Sequence, residues 1–309
     1  MRVITLPEFG SALELSDIDT PQPGAGEVRV RVHAASVNGF DVAVAAGSLQ
    51  GLMEHRFPVV LGKDFAGIVD ATGDGVTDFA VGDRVFGVVT KTHLGDGSFG
   101  EFVTVPVATG LAKLPAQIDF SRGAALGLAG TAAQAAVDAA ELTAGSTVLV
   151  VGATGGVGNQ AVQLAAAAGA TVIATARTAL GIAQVRLLGA TEVVDHTQNI
   201  TDAVRALHPD GVDVVLHFAG DAATVLPTIR TGGRFVSTLL GSADQLATDT
   251  VTVLPIVADP SAAVLTRLAE NLAAGRTSVT VQGSYALADV ADAFEAFEDG
   301  ARGKLVILP

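Results

Sequence analysis

Val148-Leu149-Val150-Val151-Gly152-Ala153-Thr154-Gly155-Gly156-Val157-Gly158 is the stretch from which the rest of the chain can be read. An apolar, β-branched run enters a turn with four glycines, and a helical pattern follows from Gly158 to Ala168, stopped by Gly169. A second apolar run, Thr171–Ala176, closes a strand–helix–strand unit of about 30 residues. Such a turn lets the backbone come close to a pyrophosphate and places that anion at a helix N-terminus. Gly152, Thr154, Gly155, Gly156, Val157 and Gly158 are therefore candidate dinucleotide-binding residues. Two residues, not one, separate Gly152 from Gly155, whereas Gly155 and Gly158 keep the spacing of a G-x-x-G pair. The other reading is a tight turn that binds nothing, and the strand before it and helix after it weigh against that.

Outward from this unit, strand-like runs recur near Val148, Val172, Val193, Val212 and Phe235, about 19–24 residues apart, with helical patterns between them. That rhythm predicts a doubly wound parallel sheet. Residues 1 to about 115 read instead as mostly β. Val28–His33 alternates apolar and charged residues, and Val59–Leu61, Ala66–Val69 and Arg84–Val89 are short apolar runs between glycine-rich turns. One short helix is expected near Phe40–Ala46. After a helix over Ser261–Ala274, the tail returns to β character at Ser278–Val281 and Lys304–Leu308, with a helix around Val290–Phe297. The chain is thus expected to be α/β, a Rossmann sheet at 120–274 inserted into a β domain made of 1–119 and 275–309.

The chain has 309 residues, 49% of them hydrophobic and 16% charged, with 32 acids against 18 bases and a net charge of −14. That charge argues against nucleic acid or an anionic membrane as partner. There is no cysteine, so neither a disulfide framework nor a thiolate metal site can form, and the six histidines show no close metal-ligand pairing. Leu142–Ala176 carries no charge, but its glycines and strand–turn–helix–strand pattern fit a buried parallel sheet better than a membrane span. The N-terminus lacks the long apolar segment of a signal peptide, and a cytoplasmic location is expected.

Taken together and in order, several segments resemble the medium-chain dehydrogenase/reductase superfamily, specifically its zinc-free quinone oxidoreductase-like branch. They are Ser36–Asp41, Phe57–Gly67, Gly82–Gly87, Leu128–Ala132, Gly152–Gly158 and Gly303–Val306. The resemblance covers nearly the whole chain. It implies a GroES-like catalytic domain split around the Rossmann domain, with the active site in the cleft between them. It also implies NADPH-dependent reduction of quinones or of α,β-unsaturated carbonyl compounds, and a homodimer. Where zinc-dependent relatives carry Gly-His-Glu, this chain has Gly62-Lys63-Asp64, so no catalytic zinc is expected. Two other departures stand out. Ala43 and Ala45 replace a Tyr and an Arg that usually follow the N-x-x-D motif, and Gly181 replaces a Lys that often meets the cofactor's 2′-phosphate.

Hydride transfer to a quinone or enone builds negative charge on the carbonyl oxygen, which donors or a cation must meet. By resemblance, Asn38 lies beside the nicotinamide and can donate its amide; the other reading is an Asn satisfying loop backbone groups. Asp41 is read first as a cap of the short helix, with direct catalysis second. Lys63 is either a cation for the developing enolate or, preferred here, half of an exposed pair with Asp64. His93 has the titration range of a proton donor but lies in a glycine-rich loop that also suits a solvated histidine. Water can supply the proton as well.

The second Rossmann strand ends in Arg177 and Thr178 with no acid, which favours a 2′-phosphate and hence NADPH over NADH. By the same resemblance, Thr131 and the segment His217-Phe218-Ala219 are candidate cofactor residues, and His196 completes the set. The competing reading is an NADPH-binding protein of the same fold with little catalytic activity, which Ala43 and Ala45 keep open.

Overall fold

In the computed structural model, which describes all 309 residues, the opening run folds as strand Thr147–Val151 near the middle of a six-stranded sheet. The order across that sheet is Glu192–Val194, Thr171–Thr175, Thr147–Val151, Val212–His217, Ile229–Ser237 and Thr252–Pro255. In chain order these are strands three, two, one, four, five and six of the sheet, and every pairing is parallel. This is the Rossmann order.

Successive side chains point to opposite faces. Val148 and Val150 pack with Val172, Ala174 and alanines of helices Phe120–Ala140 and Gly156–Ala167. Leu149 and Ile173 pack on the other face with Val204, Val215 and Phe235. Coverage of both faces explains why these strands read as unbroken apolar runs rather than alternating ones. The strand order reverses between Thr147–Val151 and Val212–His217, so the turns that leave them are neighbours. The Phe218 N–H donates to the Val151 carbonyl at 3.1 Å, and a Cβ on Gly152 would stand 2.9 Å from that of Ala219.

The sheet belongs to the unit Gly130–Asp259; Met1–Ala129 and Pro260–Pro309 form the other unit. There the long strand Glu27–Ser36 buries Val28, Val30 and Val32 and turns Arg29, Arg31 and His33 outward, the alternation its sequence shows. It pairs antiparallel with Asp64–Thr72, Phe102–Pro106 and Lys304–Leu308 in a seven-stranded sheet. A four-stranded sheet of Glu14–Asp17, Arg2–Leu6, Glu54–Val60 and His93–Asp96 completes the β structure of this unit. Register is what positions the site: Ser36 lies opposite Asp64 on one side and Val306 on the other.

Helix Ala262–Ala273 lies in the compact unit of Met1–Ala129 and Pro260–Pro309, whereas the rhythm of the sequence groups it with the Rossmann sheet. Its buried Leu265, Leu268, Ala269 and Leu272 share a core with Ala34, Ala66, Phe86 and Ala112. An amphipathic helix that follows a strand–helix rhythm looks like one more crossover, and nothing in its own pattern says which sheet it covers. The expected strand at Ser278–Val281 runs instead from Val281 to Ala286, an edge strand parallel to Lys304–Leu308 with an irregularity at Val281/Gly283. Gln282, Gly283 and Ser284 hide it from a propensity reading.

Candidate functional site

In the unit Gly130–Asp259, the glycine turn has a distinct steric task at each position. Gly152 sits at φ +81°, where only glycine is unstrained. Its N–H donates to Thr175 Oγ1 at 2.9 Å, fastening the turn to the next strand. A Cβ on Gly158 would lie 2.2 Å from the Gly152 carbonyl oxygen and 2.6 Å from Ala153 Cα, so helix and strand could not close to their present distance. A Cβ on Gly155 would meet only the Gly152 carbonyl oxygen, at 3.4 Å, so this side of the turn is open. Gly155 is the N-cap of helix Gly156–Ala167, whose first N–H groups have no acceptor within the helix. Asn159 braces the turn from within, its Nδ2 donating to the Ala153 carbonyl at 2.9 Å. An open glycine over a helix N-terminus fits a dinucleotide pyrophosphate.

The other cofactor candidates fall into two groups around that turn. Arg177 and Thr178 leave strand Thr171–Thr175, and His196 follows Glu192–Val194; all three are exposed. Arg177 and His196 both help to hold the Asp195 carboxyl below its usual range, after the larger effect of hydrogen bonds from Thr197, so a carboxylate does stand within their electrostatic reach. Thr178 caps helix Ala179–Leu187 by accepting from Gly181 N at 3.1 Å, which leaves its hydroxyl hydrogen able to donate. Gly181 sits against this cap, where a Cβ would be 3.2 Å from both Thr178 Oγ1 and Thr154 Cγ2. His217 is buried, with Nδ1 at 2.9 Å from Ser237 Oγ and Nε2 at 3.2 Å from the Gly220 carbonyl oxygen. Burial holds its pKa below the ordinary value, so the ring is neutral at pH 7. Thr131 is fully buried in helix Phe120–Ala140.

In the unit of Met1–Ala129 and Pro260–Pro309, three of the four catalytic candidates come together. Asp41, Lys63 and His93 line one recess with Phe40, Val89 and Leu94. Asn38 stands behind it, and helix Gly39–Ala45 starts at Asn38. Asp41 acts as the cap its sequence predicts, since its Oδ2 accepts from Asn38 N at 2.9 Å. The carboxyl is 1% exposed and its pKa is pushed up to about 7. Burial is the main cause and the neighbouring Asp64 charge the second; Lys304 and the hydrogen bonds from Asn38 pull the other way.

The exposed Lys63–Asp64 pair does not exist. Asp64 is fully buried, whereas Lys63 Nζ donates to the Val89 carbonyl at 2.7 Å and lies 4.9 Å from the centre of the Phe40 ring. Lys63 lies in the bend just before strand Asp64–Thr72, and Asp64, the first residue of that strand, turns inward, which parts the two side chains. Burial lowers the Lys63 pKa, against the charges of Asp41 and Asp64. His93 is not a solvated loop residue either. It opens strand His93–Asp96, and its Nε2 lies 3.1 Å from Asp96 Oδ2, with the side chain only 10% exposed.

Asn38 has its amide engaged internally. Nδ2 donates to the Ser36 carbonyl at 3.2 Å, Asp64 Oδ2 at 3.0 Å and Asp41 Oδ2 at 3.3 Å, and Oδ1 accepts from Lys304 Nζ at 2.6 Å. Two members of this network, Asp64 and Lys304, are not among the candidate site residues of the sequence, where Asp64 enters as a surface partner of Lys63, although both lie in segments that carry the family likeness. Asp64 accepts from Ser36 Oγ at 2.7 Å and, through Oδ1, from Leu128 N at 2.7 Å. Lys304 Nζ donates also to the Val37 carbonyl at 2.7 Å and to Asp64 Oδ2 at 3.2 Å. The only signal in the sequence was a lysine opening an otherwise apolar strand, Lys304–Leu308.

Comparison with known proteins agrees with this architecture. Residues 24–116 match the family model of the alcohol dehydrogenase GroES-like domain, and residues 156–259 match that of the zinc-binding dehydrogenases. A quinone oxidoreductase of Lama guanicoe is 32% identical over 100% of this chain and 97% of its own length. The solved quinone oxidoreductase of Coxiella burnetii superposes with a TM-score of 0.89 at 27% identity, covering 100% of this chain and 99% of that one. A solved NAD-dependent alcohol dehydrogenase gives a TM-score of 0.89 at 29% identity, with 100% of both chains covered.

Zinc, which the second family's description implies, does not fit the residues present. The chain offers no cysteine, and no three His, Asp or Glu side chains cluster as metal ligands. At the position of the zinc relatives' His-Glu pair, Asp64 is saturated by hydrogen bonds and faces an ammonium group.

Proposed function

The chain belongs to the medium-chain dehydrogenase/reductase superfamily, in its quinone oxidoreductase-like branch, and we propose that it reduces quinones or α,β-unsaturated carbonyl compounds with NADPH, without zinc. The observation that carries this reading is the turn Gly152–Gly158, closed to side chains at Gly158 and open at Gly155 over a helix N-terminus. When bound, NADPH supplies the hydride.

The chain's own residues do the rest. Backbone N–H groups at the start of helix Gly156–Ala167 hold the pyrophosphate, and Arg177 with the Thr178 hydroxyl holds the 2′-phosphate. In the recess, the Lys63 ammonium meets the negative charge that builds on the substrate oxygen. Asp41, protonated below about pH 7, adds no opposing charge there. The proton that completes the reduction comes from Asp41 or from water. His93, paired with Asp96, borders the same recess. A homodimer and a cytoplasmic location belong to the same proposal and rest on the family likeness.

A second reading, an NADPH-binding protein with little turnover, is favoured by the internal engagement of Asn38, whose amide bonds within the protein. Steady-state oxidation of NADPH and NADH with a panel of small quinones and enones, beside direct titration of both cofactors, separates the two. The proposal expects NADPH-dependent consumption of at least one acceptor class. Tight NADPH binding with no consumption of any acceptor would install the second reading, and a preference for NADH would overturn the cofactor assignment.

A further inference from the structure

The C-terminal strand delivers an ammonium group into the buried network behind the recess. Lys304 is 5% exposed and Asp64 is 0% exposed, and a buried ion is tolerated only where partners replace water. Lys304 Nζ spends its three bonds on the Val37 carbonyl, Asn38 Oδ1 and Asp64 Oδ2, so it clamps the loop that starts helix Gly39–Ala45. Asp64 Oδ2 and Asp41 Oδ2 are joined through one Asn38 amide nitrogen, at 3.0 and 3.3 Å.

Resting on the reductase reading above, we propose that Lys304 is a positioning residue for the recess. It fixes Asn38 and, in opposition to Asp64, sets the charge that Asp41 presents to the substrate.

The charges that face Asp41 are few. Strand Asp64–Thr72 contributes Asp64, strand Lys304–Leu308 contributes Lys304, and Lys63 lies across the recess. His93 and Asp96, from strand His93–Asp96, are paired with each other, and Asp96 also with Lys91. Helix Val290–Glu298 turns Phe297 toward Gly39, while its Asp292, Glu295 and Glu298 are exposed. Asp41 thus faces one like charge, Asp64, and two opposite ones, Lys304 and Lys63, with burial raising its proton affinity to about pH 7. The protonated acid leaves Lys63 free to meet a developing oxyanion; the carboxylate competes with it. Reductase activity should therefore fall as pH rises through the Asp41 transition.

Removing Lys304 or Asp64 should move that transition in opposite directions. Lys304→Met deletes the charge that favours the Asp41 carboxylate, so the transition moves up by about one pH unit. Asp64→Asn deletes the like charge and moves it down by a similar amount, while Lys304→Arg keeps the cation and restores a value near wild type. The measurement is the Asp41 carboxyl resonance of protein labelled with 13C at aspartate Cγ, assigned by its loss in Asp41→Asn and titrated in the full chain. The pH profile of NADPH-dependent turnover is recorded beside it.

Opposite shifts in the two variants support the inference. A resonance that stays put in both, or moves the same way in both, overturns it. If Lys304→Met does not fold, Lys304→Gln, which keeps a hydrogen-bonding group without the charge, must supply the upward shift, and its absence overturns the inference. The resonance needs no substrate, so expected shifts in a protein without reductase activity would sink the functional proposal and leave the role of Lys304 standing.

Discussion

Replacing Asp41 by Asn should flatten the pH dependence of folding stability, and the size of the effect follows from its burial. An aspartate ordinarily titrates at 3.8, whereas in the folded protein Asp41 titrates at about 7. Between those values the folded state holds a proton that the unfolded state has released. The contribution is therefore fully present below 3.8, and it is lost as pH rises through the folded value. The whole displacement corresponds to about 4 kcal/mol, of which about 2–3 kcal/mol falls between about pH 5 and about pH 8.

His33 and His217, whose pKa values lie below the ordinary one, work in the opposite sense, adding stability as pH rises toward 6.5. Both remain in the variant and cancel in the difference. Asn keeps the shape and the acceptor that takes the Asn38 N–H, so the helix cap survives. Urea unfolding of both proteins at the two pH values, followed by one probe, gives the difference directly. The wild type should lose about 2–3 kcal/mol relative to Asp41→Asn on going from about pH 5 to about pH 8. Parallel losses in the two proteins would refute the assignment of a buried, proton-holding carboxyl at this position.

Gly155→Ala should fold normally, because its Cβ has room and φ is −78°, yet weaken NADPH at least tenfold by standing where the pyrophosphate approaches; normal NADPH titration in a folded variant would rule that surface out. Gly158→Ala, with a Cβ only 2.2 Å from a carbonyl oxygen, should instead lower the melting temperature itself, as calorimetry can read. Arg177→Ala removes charge-assisted hydrogen bonds worth about 1.5–3 kcal/mol, so NADPH should weaken about tenfold to a hundredfold while NADH barely changes; equal losses for both would detach Arg177 from the 2′-phosphate. Prolonged dialysis against a strong chelator should leave turnover unchanged, and activity lost to chelation but restored by zinc would overturn the metal-independent assignment.

The sequence by itself determined the Rossmann sheet, because its signals are local: apolar runs bounded by turns, a glycine at each close approach, and a helix stop at Gly169. The same holds for the alternating strand Glu27–Ser36 and the short helix capped by Asp41. It also brought Asp41, Lys63 and His93 forward as candidates before the fold placed them around one recess.

Only the tertiary structure decided what those side chains face. Lys63 and Asp64 are neighbours in the chain, yet the bend before strand Asp64–Thr72 leaves one beside Phe40 and the strand carries the other into the core. Lys304 meets Asp64 from 240 residues away, through the register that sets Ser36 between their two strands. The charge state of Asp41 is likewise a property of the assembled unit. Periodicity fixes which residues share a face, but desolvation and the distance to other charges exist only once the strands have paired.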